Sequence, residues 1–297
     1  MIWVIANRKE EDGSFPTYKY YKKAFADGKI DIFCADKDDD FSFLTKEDIA
    51  FIRARDENIN QHVRKAQERI GFASTLESSQ TNYLTHDKEA VKSELYKCGI
   101  PFPLTVGPND VERGFAYFVK PKFGENSVGI DSNSICFTKS QVINKCLFLH
   151  KQGIEPMIER YIDGSDITTS VIYSKKDSSL KTYSAFTNAN NTDGIQTDET
   201  KRNYSFSASA CKDELLDRIA KKVFEAVGAK HYLRIDFRMS NQVPYVIDIN
   251  MIPGLSPNGY MAKCMKEHGI EYNDFIRMVV NSCLLYTSPS PRDRSVS

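Results

Sequence analysis

No apolar run in this chain approaches the ~20 residues that a helix needs to cross a bilayer, so no membrane span is expected. An excess of one charge is missing too: 40 Lys and Arg stand against 40 Asp and Glu. A neutral balance supplies no field to draw nucleic acid or an anionic membrane surface, and neither is expected as a partner. The seven cysteines, Cys34, Cys98, Cys136, Cys146, Cys211, Cys264 and Cys283, are odd in number and lack any Cys-x-x-Cys spacing. Neither a disulfide framework nor a zinc site fits that pattern, whereas buried thiols in a reducing cytoplasm do. No secretory leader is legible, because Met1-Ile-Trp-Val-Ile-Ala6 gives way to Asn7-Arg8-Lys9, as a first β-strand would. Asn190-Asn-Thr192 and Asn203-Tyr-Ser205 then match the glycosylation pattern only by coincidence.

What is there reads as a globular α/β chain, with 41% hydrophobic and 11% aromatic residues over a length that allows more than one core. Residues 1–85 form a small α/β unit: a strand at Ile2–Ala6, a helix at Tyr18–Ala26, a strand at Ile30–Cys34, alternating residues over Asp48–Arg53, and an amphipathic helix ending at Gly71. A second unit opens at Asp87, a helix N-cap, and its helix runs to Cys98 before Gly99 and Pro101-Phe-Pro103 stop it. Tyr117–Ile130 is a strand carrying Lys120, a loop with Gly124 and Gly129, and a return strand. Glycines there let backbone N–H groups approach phosphate oxygens, although a plain hairpin has the same look. A Walker loop is excluded, since Ile130-Asp131 stands where Lys-Ser/Thr is required and no helix follows. Ile167–Tyr173 is a further strand, and the polar stretch from Ser174 to Ser209 carries a long loop of the kind that forms lids. Asp213–Val227 is an amphipathic helix, and residues 284–297, rich in Ser, Pro and Arg, read as a non-native or disordered tail. His62, His150, His231 and Trp3 belong to surface or core, and His86 to a helix-entry turn.

The most informative stretch is Tyr232–Asn250, two alternating strands around a polar turn. Leu233, Ile235 and Phe237 fall on one face, and Arg234, Asp236 and Arg238 on the other. In the second strand Tyr245, Ile247 and Ile249 take the apolar face, and Asp248 and Asn250 the polar one. A turn centred on Gln242 sets Asp236 opposite Asp248 and Arg234 opposite Asn250. Two facing carboxylates repel, and the simplest remedy is a cation between them. An all-oxygen set of Asp236, Asp248 and Asn250 suits Mg²⁺ with phosphate oxygens completing its shell. A solvated polar face is the bland alternative for a bare Asp-x-Asn; four converging polar groups favour the metal. The loop that follows, Met251–Tyr260, holds two Pro and two Gly residues and leads into a helix whose free N–H groups can hold a carboxylate.

Four separated segments, in order, resemble the ATP-grasp superfamily and within it the D-alanine–D-alanine ligases. They are His86-Asp-Lys88 with Gly99-Ile-Pro101, Val119-Lys-Pro121 with Ser127-Val-Gly129, Ile158-Glu-Arg-Tyr-Ile-Asp-Gly164, and Arg234-Ile-Asp236 with Asp248-Ile-Asn250 and Pro253-Gly254. The resemblance implies an α/β (α+β) ATP-grasp fold with a small N-terminal α/β domain (1–85) and two domains (86–165 and 166–283) whose antiparallel sheets clamp ATP. It implies that Lys88 and Lys120 contact phosphates, with Asn126 and Ser127 in the phosphate loop. Glu159 then faces the adenine amino group beside the Tyr161-Ile162 backbone, and Asp166 holds the ribose. Asp236, Asp248 and Asn250 bind two Mg²⁺ ions (Mn²⁺ as substitute), Arg234 and a lid lysine, Lys201, serve the reacting centre, and Asn258 and Gly259 hold the substrate carboxylate. The implied reaction activates a carboxylate as an acyl phosphate, which an amine attacks to form an amide. Amino acids or small peptides are the implied substrates, and a homodimer the implied assembly.

The pattern has departures. Ile5–Asp12 lacks the family's glycine-rich loop and substrate-anchoring glutamate, Gly259 stands for a serine, Asn126 for a serine, and Asp248 for the commoner glutamate. ATP chemistry is therefore better founded than D-alanine as substrate. Two alternatives remain, a ligase acting on a peptide or protein terminus, marked by an open substrate pocket, and a nucleotide-binding module without catalysis. Retention of Lys88, Lys120, Arg234, Asp236, Asp248 and Asn250 together argues against the second. A biotin-type carboxylase is disfavoured by the lack of an Ala/Val-Met-Lys-Met carrier segment.

Overall fold

The computed structural model describes residues 1–8, 14–25, 28–124, 129–189 and 206–284. The first strands, β1 (Ile2–Asn7), β2 (Ile30–Ala35), β3 (Ile49–Ile52) and β4 (Ala73–Ser74), form a parallel sheet in the order β2-β1-β3-β4. Helices α1 (Ser14–Ala24) and α2 (Glu57–Ile70) provide crossovers, as parallel pairing requires. Asp56 caps α2 by accepting from the Asn58 N–H, and Gly71 ends it in the left-handed conformation at φ 88°. In place of the alternation read over Asp48–Arg53, three successive β3 residues, Ala50, Phe51 and Ile52, are buried. A central parallel strand is covered on both faces, so alternation has no meaning there. Helix α1 begins earlier and ends earlier than the Tyr18–Ala26 expected.

Two consecutive helices, α3 (Ser79–His86) and α4 (Lys88–Lys97), share Asp87, whose carboxylate accepts the Glu89 and Ala90 N–H groups to start α4. A three-stranded antiparallel sheet follows: β5 (Tyr117–Pro121), β6 (Ile135–Cys136) and β7 (Pro156–Arg160), ordered β6-β5-β7. Helix α5 (Lys139–Lys151), started by a Thr138–Gln141 capping box, covers one face around Tyr117, Val119, Val142 and Leu149. The return strand expected after Gly129 shrinks to the two residues of β6, reached through a 3₁₀ turn at Ser132–Ser134.

The largest sheet holds β8 (Ser165–Ser174), β9 (Ser179–Ala189), β10 (Phe206–Cys211), β11 (Tyr232–Ser240) and β12 (Val243–Asn250) in the antiparallel order β10-β9-β8-β11-β12. The polar stretch from Ser174 to Ser209 thus supplies β9 and the start of β10, and the long loop expected within it falls on residues 190–205, outside the described residues. Buried Thr169 and Ser184 satisfy each other across β8 and β9 at 2.8 Å. Leu233, Ile235 and Phe237 pack with Ile167 and Val171 against α4 and helix α6 (Glu214–Ala226), which buries Leu216, Ala220 and Val223. Near the other end, Ile172 and Tyr232 join helices α7 (Tyr260–Glu267) and α8 (Tyr272–Asn281) and the first sheet in one core. Among the described residues no helix is long and apolar enough to cross a membrane.

The β11–β12 hairpin corrects one expectation. Its turn is not centred on Gln242; it is a two-residue turn, Asn241-Gln242, with both φ angles positive (48° and 63°). Ile247 then bulges, so Phe237 pairs with Val246 while Asp236 pairs with Asp248. The expected pairings Asp236↔Asp248 and Arg234↔Asn250 hold, yet the core positions are Val246 and Ile249 instead of Tyr245, Ile247 and Ile249.

Candidate active site

Between the three-stranded and five-stranded sheets lies a cavity of about 360 Å³. Lys88, Lys120, Glu159, Tyr161, Ile162, Asp166, Asp236 and Asp248 all line it, together with Arg160, Thr168, Arg238 and Tyr260. Strand alternation accounts for the convergence: Lys120 and Glu159 project from adjacent strands β5 and β7, and Thr168, Asp236 and Asp248 from neighbours β8, β11 and β12.

Glu159 is 2% exposed, with one carboxylate oxygen 2.6 Å from Lys92 Nζ and the other 2.9 Å from Lys120 Nζ. Both contacts pair an ammonium with a carboxylate that has almost no access to solvent. Lys120 also donates to the carbonyl of the bulged Ile247 at 2.8 Å, a direct tie between the two sheets. Lys88 donates to the Gly124 carbonyl at 2.5 Å. Burial lowers the Lys92 pKa, and although Glu159 opposes this, Lys120 adds to it.

On the opposite wall Asp236 is held edge to edge by Arg234, which does not itself line the cavity, Nε to Oδ1 at 3.1 Å and the NH2 nitrogen to Oδ2 at 2.9 Å. Thr168 Oγ1 donates to the same carboxylate at 3.0 Å. Burial disfavours the Arg234 cation, and Asp236 and Asp248 more than offset that, leaving its pKa raised. Thus the cation that already meets Asp236 is a guanidinium, a partner not anticipated from the facing carboxylates alone. The Arg234 guanidinium also lies 5.5 Å from the centre of the Tyr260 ring, which stacks on Phe206 at 4.0 Å.

Asp166 pairs with Arg238 Nε at 3.0 Å, and Arg238 reaches back to the Gly164 carbonyl. Gly164 has no room for a Cβ, which would run into the Met239 carbonyl. Asn250 is buried, lies opposite Arg234 and accepts the Ile252 N–H on Oδ1, but it does not line the cavity. Asn258 is exposed and Gly259 is the N-cap of α7; neither lines the cavity, whereas the next residue, Tyr260, does. Asn126, Ser127 and Lys201 lie outside the described residues.

Among the described residues no three His, Cys, Asp or Glu side chains cluster as a metal site would. The oxygen set still fits Mg²⁺, which is commonly held by one or two carboxylates with substrate phosphates and water completing the octahedron. Asp236 and Asp248, directly paired on the cavity face, are such carboxylates.

Lys92, Arg238 and Tyr260 were missed. Two had signals: Arg238 continues the Arg234-x-Asp236 alternation, and Lys92 follows Lys88 by four residues, on the same helical face.

Solved structures that share this architecture include ligases. A D-alanine--D-alanine ligase from Bacillus anthracis complexed with ATP superimposes with a TM-score of 0.72 at 21% identity, covering 95% of this chain and 96% of that one. The VanG D-Ala:D-Ser ligase from Enterococcus faecalis gives 0.71 at 14% identity, covering 95% and 99%. The fold is ATP-grasp. By sequence, D-alanine--D-alanine ligase A of Bacillus cereus is 27% identical over 175 residues, 58% of this chain and 56% of that protein. The chain thus spans about half the length of curated relatives such as this. Residues 108–281 match the family described as D-ala D-ala ligase C-terminus, and the chain belongs to that family.

Proposed function

We propose that this protein is an ATP-dependent ligase that joins a carboxylate to an amine through an acyl phosphate, with amino acids or small peptides as substrates. The observation that carries the proposal is the cavity's polarity: Lys88 and Lys120 on one wall face the Asp236–Asp248 pair on the other, with Arg234 bonded to Asp236 behind it. Cations opposite paired carboxylates suit a polyphosphate bridged by Mg²⁺, and the matching solved ligase from Bacillus anthracis was obtained with ATP.

In this reading the Glu159 carboxylate accepts from the adenine amino group, with Tyr161 and Ile162 along the base and Asp166, steadied by Arg238, at the ribose. Lys88 and Lys120, with Asn126 and Ser127 of the loop, hold the phosphates. Asp236, Asp248 and Asn250 would hold Mg²⁺, which neutralises phosphoryl charge when bound. Arg234, fixed by Asp236, stabilises the oxyanion that forms when the amine attacks the acyl phosphate. Lys201, outside the described residues, takes the role of the lid lysine in this reading, and the α7 N-terminus at Asn258-Gly259 receives the acceptor's carboxylate. The division at residues 85 and 165 into three domains belongs to the same reading, as does a cytoplasmic location, which seven unpaired cysteines favour.

The relatives' names favour D-alanine as one substrate, while Gly259 in place of a serine favours a changed acceptor. The test is ADP release from Mg-ATP across D- and L-amino acids and dipeptides, with products identified by mass spectrometry. Release that requires two substrates and yields a product one water lighter than their sum is expected. ATP binding without turnover on any pair would sink the small-substrate ligase and favour a peptide or protein terminus as acceptor.

A further inference from the structure

We infer that Lys92 is a positioning residue that keeps Lys120 available to the nucleotide's phosphates by sharing the charge of Glu159. The inference rests on the reading of the cavity as an ATP site.

Glu159 is nearly inaccessible and lies between two ammonium groups, at 2.6 Å from Lys92 and 2.9 Å from Lys120. Two lysines around one carboxylate leave a net charge of +1. With Lys92 removed, Glu159 and Lys120 would form a neutral pair, and a neutral pair offers an incoming polyphosphate little attraction. Lys92 makes two further hydrogen bonds where Lys120 makes one. Its ammonium donates to the Pro103 carbonyl at 2.8 Å and to Thr105 Oγ1 at 2.7 Å, both on the segment that follows α4. Those bonds hold it behind Glu159, and it does not line the main cavity. Lys120, by contrast, does line it and spends one donor on the Ile247 carbonyl.

A second observation places the cluster as one electrostatic unit. Lys88, Lys92, Lys120, Glu159 and Asp248 all border a small void of about 20 Å³ behind the main cavity. Three cations and two carboxylates there share a low-dielectric setting, where each added or lost charge is weakly screened. Lys92 and Lys88 reach it from one face of α4, four residues apart. Lys92 therefore sets the charge of a wall it does not itself expose to the ligand.

The test is a charge series read by calorimetric titration with ATP, ADP and adenosine, using the full chain. Lys92→Met brings the cluster of Glu159, Lys92 and Lys120 to zero, Glu159→Gln to +2, and the double variant back to +1. Comparing ATP with adenosine for each variant cancels any change in how the base is held. The expected ratio of ATP to adenosine affinity is highest for Glu159→Gln, equal within about twofold for the unsubstituted and double variants, and lower by about tenfold or more for Lys92→Met. ADP should follow ATP. Equal weakening of all three ligands in Lys92→Met would overturn the inference and make Lys92 a support for the base pocket, and so would no change at all. If Lys92→Met does not fold, the contrast between Glu159→Gln at +2 and the double variant at +1 still decides, because both lack the Glu159 charge and differ only in Lys92. Failure of the unsubstituted protein to bind ATP overturns the nucleotide reading and this inference together, whereas ATP binding with an unordered series overturns only the inference.

Discussion

Glu77 and His231 are neighbours with opposed titrations. The Glu77 carboxylate accepts the Lys230 N–H at 2.9 Å and the His231 N–H at 2.9 Å, fastening the segment before α3 to the start of β11. Burial pushes its pKa up to about 7, although the two amides and the Lys230 charge favour ionisation. Burial pushes His231 down to about 4, with Lys175 and Lys230 adding to the effect. The signs follow from proton linkage. Glu77 holds its proton more tightly folded than unfolded, so its contribution is full below about pH 4.5 and is lost as pH rises toward 7. His231 does the reverse, adding stability as pH rises from about 4 to 6.5. Each amounts to about 3 kcal/mol at full extent, and between pH 4.5 and 6.5 they cancel. Urea unfolding of Glu77→Gln should therefore show stability rising across that window, and His231→Asn stability falling. Parallel profiles for both variants would mean that neither group titrates as argued.

At the scale of elements, the β11–β12 hairpin makes the bulge testable. Val246 packs in the main core against Phe237, while Tyr245 is only half-buried. Val246→Ala should cost about 2 kcal/mol and Tyr245→Ala less than about 1 kcal/mol in denaturant unfolding. The reverse order would restore the unbulged register. The hairpin also shows what the sequence could and could not disclose. Period-two alternation in Leu233–Arg238 is a local property, and it located the carboxylate pair and Arg234 correctly. A bulge depends on what the extra residue's carbonyl meets; here that is Lys120, from another sheet, and no local pattern encodes it. The same limit hid Lys92, whose partner Glu159 lies 67 residues on. The strands β9 and β10 were illegible for a different reason: Ser and Thr read as loop unless their buried cross-strand partners are known. By contrast, helices with side-chain caps, Asp87 for α4 and Asp213 for α6, were legible because a cap is settled within three residues.

For the whole molecule, the placement of the cores governs how it responds to ligand. The five-stranded sheet carries one core on the side of α4 and α6 and shares another with the first sheet, α1, α7 and α8. Arg53 strengthens that union, donating from the end of β3 to the Tyr232 hydroxyl and to the Pro253 carbonyl at 2.6 Å. The three-stranded sheet and α5 enclose a separate, smaller core. Its ties to β12 include Lys120 to Ile247, and the cavity lies across the junction. Regions with independent cores can open separately, and the smaller opens first. Without nucleotide, amides of β5 and β7 should exchange hydrogen faster than those of β8 and β11. Mg-ATP at about 100 times its Kd stabilises the state that binds it by about 2.7 kcal/mol. A ligand touching both walls should therefore slow β5 and β7 most and draw their exchange toward that of β11. Chelating the metal should undo much of this, because Asp236 and Asp248 would then face the polyphosphate with only Arg234 to offset them. Exchange in β5 that Mg-ATP leaves unchanged, or slows equally without metal, would show that the nucleotide does not bridge the two sheets through the carboxylate pair.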